Sequence, residues 1–157
     1  MRFVTVLFFL VALASFVAAQ ETKPLSLMPM PESVNPGSGQ LPISGSFTVR
    51  IRGEDPRLRQ TAEIFLNDLR RHTGMLPLDF NIADGSRTGQ LVIHSEHPSE
   101  EVQKLGEDES YTLVVLNSGA QLDAPTTLGV MRGLQTFLQL VEMTPEGFAV
   151  PAVSVKR

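Results

Sequence analysis

The acidic run Gly106–Glu109 is the first stretch whose side chains could do chemistry. It places Asp108 beside Glu109, and two carboxyl groups are what glycoside hydrolysis uses, one of them as the acid. An acid/base pair needs surroundings that raise the pKa of one carboxyl above that of the other, and no apolar neighbour in this run would do so. We therefore interpret the run as a solvated loop that precedes a strand.

A second polar stretch, His94–His97, contains side chains that could bind a metal. On an extended segment, positions three residues apart point to opposite faces, so His94 and His97 would need a turn between them and a third ligand from elsewhere. Ser, His and Asp all occur in the chain, but no serine lies in a nucleophile motif and no Gly-rich phosphate loop is present. We predict no catalytic residue, no metal site and no cofactor.

The elements that would position these stretches begin with a strand and a helix. Segment 46–52 alternates apolar and polar residues, which predicts a half-buried strand. Asp55 as N-cap and Pro56 at the first helical position open a helix that Gly74 ends in a left-handed conformation. One face of this helix carries an apolar stripe: Leu58, Ala62, Phe65 and Leu69.

Further strands are predicted at 91–94, 111–116, 120–124 and 150–155. Segment 111–116 is apolar on both faces, which predicts a central strand covered on each side. Pro151 predicts that the last strand lies at an edge, since proline cannot donate to a ladder. The order of elements predicts an α+β fold, a mixed or antiparallel β-sheet with two main α-helices packed on one face.

The second helix is predicted from Pro125 to about Val141, and it carries two glycines on one flank. Gly129 and Gly133 lie one turn apart, and each costs about 1 kcal/mol relative to alanine in a helix interior. Two explanations remain open: the glycine row packs tightly on the domain's own sheet, or it is a docking face for another domain. The strongly polar opposite face argues against a membrane dimer.

The N-terminus has the pattern of a secretory signal. Arg2 precedes an apolar run, and the small residues Val17-Ala18-Ala19 close it. The run is shorter than the about 20 residues of a membrane-spanning helix, so we predict a signal peptide at 1–19, export to the periplasm or the extracellular space, and no stable membrane anchor.

Length and composition limit the number of domains and the kinds of partner expected for the exported chain. The remainder of the 157 residues suits one domain, and it contains no cysteine. Residues 20–45 are rich in Pro, Gly and Ser and predict an extended segment leading into a domain at 46–157. The net charge of −4 and the lack of a basic patch exclude nucleic acid as a partner.

Three stretches together resemble the N-terminal, non-catalytic domain of bacterial β-N-acetylhexosaminidases, glycoside hydrolase family 20. They are Leu27–Val34, Glu109–Leu113, and Ala124–Leu140 followed by Val150–Val153. The most specific part is Gly129-Val130-Met131-Arg132-Gly133-Leu134-Gln135-Thr136.

The resemblance implies a domain that precedes and supports a catalytic barrel. In the family, an adjacent Asp–Glu pair on that barrel orients the acetamido group of the substrate and supplies the acid. Asp108-Glu109 lies upstream of the expected barrel position and is not that pair. The chain reaches Lys156-Arg157 where the stretch leading into the barrel would begin, so we expect the barrel to be absent from this chain and no family catalytic residue to carry over. The barrel is the expected partner, docking near Gly129 and Gly133.

The functional expectation is an accessory domain of an exported β-N-acetylhexosaminidase that is inactive by itself, so the enzyme status of this chain stays open. Two alternatives remain: a stand-alone secreted binding or interaction module, and an accessory domain of another glycosidase family, because a fold does not fix a substrate.

Overall fold

The computed structural model describes residues 25–75, 81–83 and 90–157. Its two helices are α1 (Arg57–Thr73) and α2 (Thr127–Leu140). Its strands are β1 (Ser33–Ile43), β2 (Thr48–Arg52), β3 (Asn81–Ile82), β4 (Leu91–His97), β5 (Thr112–Leu116), β6 (Gly119–Thr126), β7 (Glu142–Thr144) and β8 (Gly147–Lys156). The predicted signal peptide, 1–19, lies outside the described residues. No helix in the described part of the chain is long and apolar enough to cross a membrane.

The strands form one mixed sheet in the order β1-β8-β5-β6-β4-β2-β3, and β7 pairs with β8. The pairs β1–β8, β8–β5 and β5–β6 are antiparallel, whereas β6–β4, β4–β2 and β2–β3 are parallel. The parallel half follows from α1, which carries the chain back across the sheet after β2. The predicted α+β class with a mixed sheet and two helices is confirmed.

Both helices cover one face of the sheet. Leu122 pairs with Ile93 on one side and Leu113 on the other, and all three are fully buried beneath the helices. The ring of Phe137 from α2 packs 5.6 Å from that of Phe65 in α1 and 6.0 Å from that of Phe47. These apolar side chains form the core that joins the sheet to both helices.

The other face of the sheet is open, which makes one prediction wrong. Segment 111–116 was expected to be covered on both sides, but only its alternate residues Tyr111, Leu113 and Val115 are buried. Thr112 and Val114 are half-exposed and Leu116 is exposed, since their side chains alternate onto the open face. An apolar run on a strand does not by itself require cover on two sides.

The segment predicted to lead into the domain contains a strand of the sheet. Within 20–45, β1 pairs with β8 from Ser33 opposite Lys156 to Ile43 opposite Phe148. Leu41 and Ile43 are buried in the core. Part of this segment is therefore integral to the fold, although its Pro, Gly and Ser content is typical of a linker.

Pro151 does not mark an edge strand, so that prediction is wrong. It lies in β8, which pairs with β1 on one side and with β5 and β7 on the other. Its position is irregular on both sides, because the register of β1 shifts between Pro36 and Gln40 and the β5 ladder begins only at Val153. An interrupted ladder accommodates a residue without an N–H donor.

The predicted end of α1 and the second helix are confirmed, but both helices begin later than predicted: α1 at Arg57 rather than Pro56, and α2 at Thr127 rather than Pro125, which lies in β6. The stripe of α1 is buried, and Gly74 adopts φ 66° while donating its N–H to the Arg70 carbonyl at 2.9 Å. Helix α2 begins after Thr126, whose hydroxyl accepts the N–H of Gly129 at 3.1 Å. This cap satisfies a donor that the first turn of a helix leaves without a partner.

Candidate functional site

Both carboxylates of the acidic pair Asp108-Glu109 form hydrogen bonds with neighbouring residues of the domain. Asp108 accepts hydrogen bonds from Ser110, including one from its N–H at 2.8 Å, which lower the pKa of its carboxyl. Arg132 holds the pKa of the Glu109 carboxyl below its usual range through a bidentate contact at 2.9 and 3.1 Å. Neither carboxyl has the raised pKa that a general acid requires.

The His94–His97 stretch lies on β4 and its side chains have separate partners. His94 Nδ1 is 3.3 Å from Asp123 Oδ1 on the open face of the sheet, and buried Ser95 donates to the His97 carbonyl at 2.7 Å. Across residues 25–75, 81–83 and 90–157, no three His, Cys, Asp or Glu side chains come together closely enough to hold a metal ion.

The glycine row of α2 packs against the domain's own sheet. A Cβ on Gly133 would overlap the side chain of Leu122 in β6, and one on Gly129 would overlap the Ser110 carbonyl and lie 2.9 Å from the Ala124 Cβ. Both glycines are buried. The expectation that Gly129 and Gly133 form a docking face is therefore wrong, because the sheet already occupies the space beside them.

Two of the motifs that carried the family resemblance meet residue by residue. Glu109 binds Arg132, and the Ser110 carbonyl lies against Gly129. The Tyr111 hydroxyl lies 2.5 Å from Thr136 Oγ1, and both side chains are buried. Three consecutive residues before β5 thus each contact one position of α2. Sequence spacing could not show this meeting, because the motifs lie on different elements.

A buried carboxylate, that of Asp55, joins the starts of both helices. It accepts the N–H of Arg57 at 2.9 Å, as expected for a cap, although the regular helix begins only at Arg57. It also accepts the Thr127 hydroxyl at 2.6 Å, the Ser99 N–H at 3.3 Å and the Arg57 guanidinium at 3.0 and 3.1 Å. Burial raises the pKa of Asp55, but these hydrogen bonds outweigh it and lower the pKa to about 2.

The same contacts tie the connection between β4 and β5 to the helices. The Arg57 guanidinium donates to the Glu100 carbonyl at 2.7 Å and to the Ser99 carbonyl, and Ser99 Oγ accepts the N–H of Leu128 at 2.8 Å. The sequence predicted that Asp55 caps a helix, but it did not predict the contacts with Ser99 and Thr127. Local sequence patterns do not indicate contacts between residues more than forty positions apart.

A groove lies between α1 and α2 on the outer side of the helix layer. The groove consists of two adjoining cavities. Both are lined by the same five residues: Thr61, Ile64, Gln103, Leu128 and Met131. Ile64 and Met131 are 50% and 46% exposed, so the groove presents apolar surface to solvent. Charged residues rim the groove: Arg57, Glu100, Glu101 and Glu107 at one end and Arg132 at the other. Sequence analysis did not predict this groove.

Comparison with known proteins gives a consistent result. Residues 24–156 match the family model described as glycosyl hydrolase family 20, domain 2. β-Hexosaminidase subunit A1 of Dictyostelium discoideum is 30% identical over 138 residues, which cover 87% of this chain and 24% of that protein. β-Hexosaminidase 3 of Arabidopsis thaliana is 29% identical over 147 residues, which cover 85% of this chain and 27% of that protein.

Solved structures with the same fold include bacterial enzymes. The chitobiase of Flavobacterium johnsoniae superposes with a TM-score of 0.73 at 28% identity, over 83% of this chain and 20% of that one. The N-acetyl-β-hexosaminidase of Streptomyces plicatus has a TM-score of 0.65 at 22% identity, over 85% of this chain and 26% of that one. The chain spans about a quarter of the curated relatives it matches, and these relatives are eukaryotic, so the similarity is not confined to bacteria.

Proposed function

The chain belongs to glycosyl hydrolase family 20, domain 2, and from that membership we propose that it is the accessory domain of an exported β-N-acetylhexosaminidase. The family match over residues 24–156 is the observation that carries the proposal. In this role the domain supports a catalytic barrel that releases terminal N-acetylhexosamines, and it is inactive by itself.

The state of the carboxyl groups supports inactivity. Three carboxyls of the described residues have clearly shifted pKa values, those of Asp55, Asp108 and Glu109, and all three are lowered. Cleavage of a glycosidic bond needs a carboxyl that keeps its proton near neutral pH, which requires a raised pKa. None of these three groups meets that requirement.

The groove between α1 and α2 is the surface that we propose docks the barrel, in place of the glycine row. Ile64 and Met131 expose apolar side chains there, and charged groups surround them, which is the anatomy of an interface with an apolar centre and a polar rim. The open face of the sheet presents the charged or polar pair His94–Asp123. The occupant would come from the remaining three quarters of an enzyme of the relatives' size.

The proposed export rests on the N-terminal sequence. Arg2, the apolar run and Val17-Ala18-Ala19 have the order of a cleaved signal. Mature protein from the periplasm or culture medium should begin at or near Gln20, as N-terminal sequencing would read. A product that retains Met1 in the membrane fraction would contradict cleavage.

The experiment for the accessory role reads the coding DNA beyond codon 157 and purifies the longest product that the frame encodes. That product should hydrolyse a chromogenic N-acetyl-β-glucosaminide and should lose activity when residues 25–157 are deleted. A frame that encodes no barrel would contradict the role and would favour a stand-alone secreted module.

A further inference from the structure

Arg157, directly after β8, is held beside α2 by one carboxylate. Glu109 accepts a hydrogen bond from the Arg157 guanidinium at 3.2 Å. Arg132 donates hydrogen bonds to both carboxylate oxygens of Glu109. The backbones of Tyr111 and Arg157 exchange two hydrogen bonds, at 3.0 and 3.1 Å, which extend the β5–β8 ladder by one pair. The Tyr111 hydroxyl meets Thr136 on α2.

This network joins two separate regions of the molecule. Arg132 lines the groove between the helices, and its side chain is 42% exposed there. Arg157 directly follows β8. Glu109 binds both arginines, so it connects the rim of the groove to the end of β8.

We propose that Glu109 is a positioning residue that holds the backbone at the end of β8 in a fixed direction beside the groove. The inference rests on the proposed function, in which the chain continues from β8 into the domain that occupies the groove. A connection of fixed direction raises the effective concentration of that domain at its docking surface. The planar fork of Arg132 suits this role, because a bidentate contact fixes geometry as well as charge.

An ordinary surface ion pair is the alternative, and such pairs contribute little. The two explanations predict different effects on the order of the end of β8 when the ion pair is removed. A surface pair would leave the order of the end of β8 unchanged, whereas a positioning residue must control it. The Tyr111 amide reports that order directly, because its N–H is hydrogen-bonded to the Arg157 carbonyl.

The test compares amide hydrogen exchange by NMR in the 157-residue chain and in Glu109→Gln. The Tyr111 amide should exchange about five-fold faster in the variant, while amides at the centres of β4 and β6 keep their rates. Glu96→Gln is the matched control, because it removes the same charge from an exposed position on β4. Arg132→Lys, which keeps the charge but loses the fork, should resemble Glu109→Gln. An unchanged Tyr111 rate, or equal acceleration of all amides, would overturn the proposal.

A second measurement separates this inference from the accessory role. In the longest product of the reading frame, Glu109→Gln should speed cleavage by trypsin at the first sites beyond Arg157, relative to Glu96→Gln. Equal cleavage of both would overturn the positioning role even if the product is an active hexosaminidase. The opposite combination is also informative. If the frame encodes no barrel but the Tyr111 amide still exchanges faster in Glu109→Gln, then Glu109 orders the end of β8 and only the accessory role is contradicted.

Discussion

Gly133 of α2 lies so close to Leu122 of β6 that a Cβ on the glycine would overlap the leucine side chain. The helix therefore sits so close to the sheet that any larger residue at this position would require the Leu122 side chain to move. The same holds one turn earlier, where Gly129 faces the Ser110 carbonyl. The two glycines that weaken α2 as an isolated helix are what allow it to pack on the sheet.

Alanine at these positions should destabilise the domain although it favours a helix. Gly133→Ala gains about 1 kcal/mol of helix propensity but should lose about 1–3 kcal/mol by overpacking. Gly129→Ala should cost more than Gly133→Ala, because a backbone carbonyl cannot rotate away as a leucine side chain can. Urea unfolding of the 157-residue chain measures both. Gly45→Ala is the control, since nothing lies within 4 Å of its added Cβ; higher stability of Gly129→Ala than of Gly45→Ala would contradict close packing.

The carboxylate of Asp55 should make stability depend on acid pH. Its pKa is lowered from 3.8 to about 2 in the folded state, so its contribution is complete above the unfolded pKa and is lost as pH falls through the folded value. Asp55→Asn should therefore lower the free energy of unfolding at pH 7 by about 2 kcal/mol, and the difference from wild type should shrink between about pH 5 and pH 2.

Denaturant unfolding at several pH values checks this dependence on Asp55. Asp68→Asn is the control: Asp68 pairs with Arg71 at the surface, where such pairs contribute about 1 kcal/mol or less. A constant difference between Asp55→Asn and wild type from pH 7 to pH 2 would show that the carboxylate does not act through its charge.

The contact between Tyr111 and Thr136 should be measurable as a coupling energy. Tyr111→Phe removes the hydroxyl and leaves the buried Thr136 hydroxyl without this partner, at a cost of about 1 kcal/mol or more. A double-mutant cycle with Thr136→Val should give a coupling of about 1 kcal/mol. Additive effects of the two substitutions would mean that the hydroxyls do not interact.

The sequence predicted those features that depend on residues near one another along the chain. The stripe of α1, its left-handed end at Gly74 and the presence of a second helix follow from spacing and local backbone preference. β1 was missed because its strand is held by pairing with β8 rather than by local propensity. Pro151 was misleading for a related reason, since the break in the ladders that accommodates it belongs to the neighbouring strands.

The candidate site was less predictable because its contacts are long-range. Asp55 could be recognised as a cap, but its bonds to Ser99 and Thr127 depend on how the helices come together. The glycine pair was recognisable as a place of close approach, yet the sequence could not say which surface approaches. The groove exists only when Ile64 and Met131 are brought side by side by two different helices.

Charged substitutions in the groove should separate folding from docking. Met131→Lys and Ile64→Lys place a charge on half-exposed positions, so the 157-residue chain should keep its stability within about 0.5 kcal/mol. The longest product of the reading frame should lose stability or activity, because the charge would be buried against the barrel without a partner. Leu116→Lys is the control, since Leu116 is 57% exposed outside the groove. Equal effects of the three substitutions in the longer product would exclude the groove as the docking surface.

Whether this domain is catalytic is read from the rate at which the purified 157-residue chain hydrolyses a chromogenic N-acetyl-β-glucosaminide. No turnover above the buffer blank is expected, because Asp108 and Glu109 are held by Ser110 and Arg132 and the pKa of each carboxyl is lowered rather than raised. The double variant Asp108→Asn/Glu109→Gln, purified in the same way, identifies activity from a contaminant. Turnover that copurifies with the wild-type chain and disappears in the double variant would contradict the assignment of this chain as a non-catalytic domain.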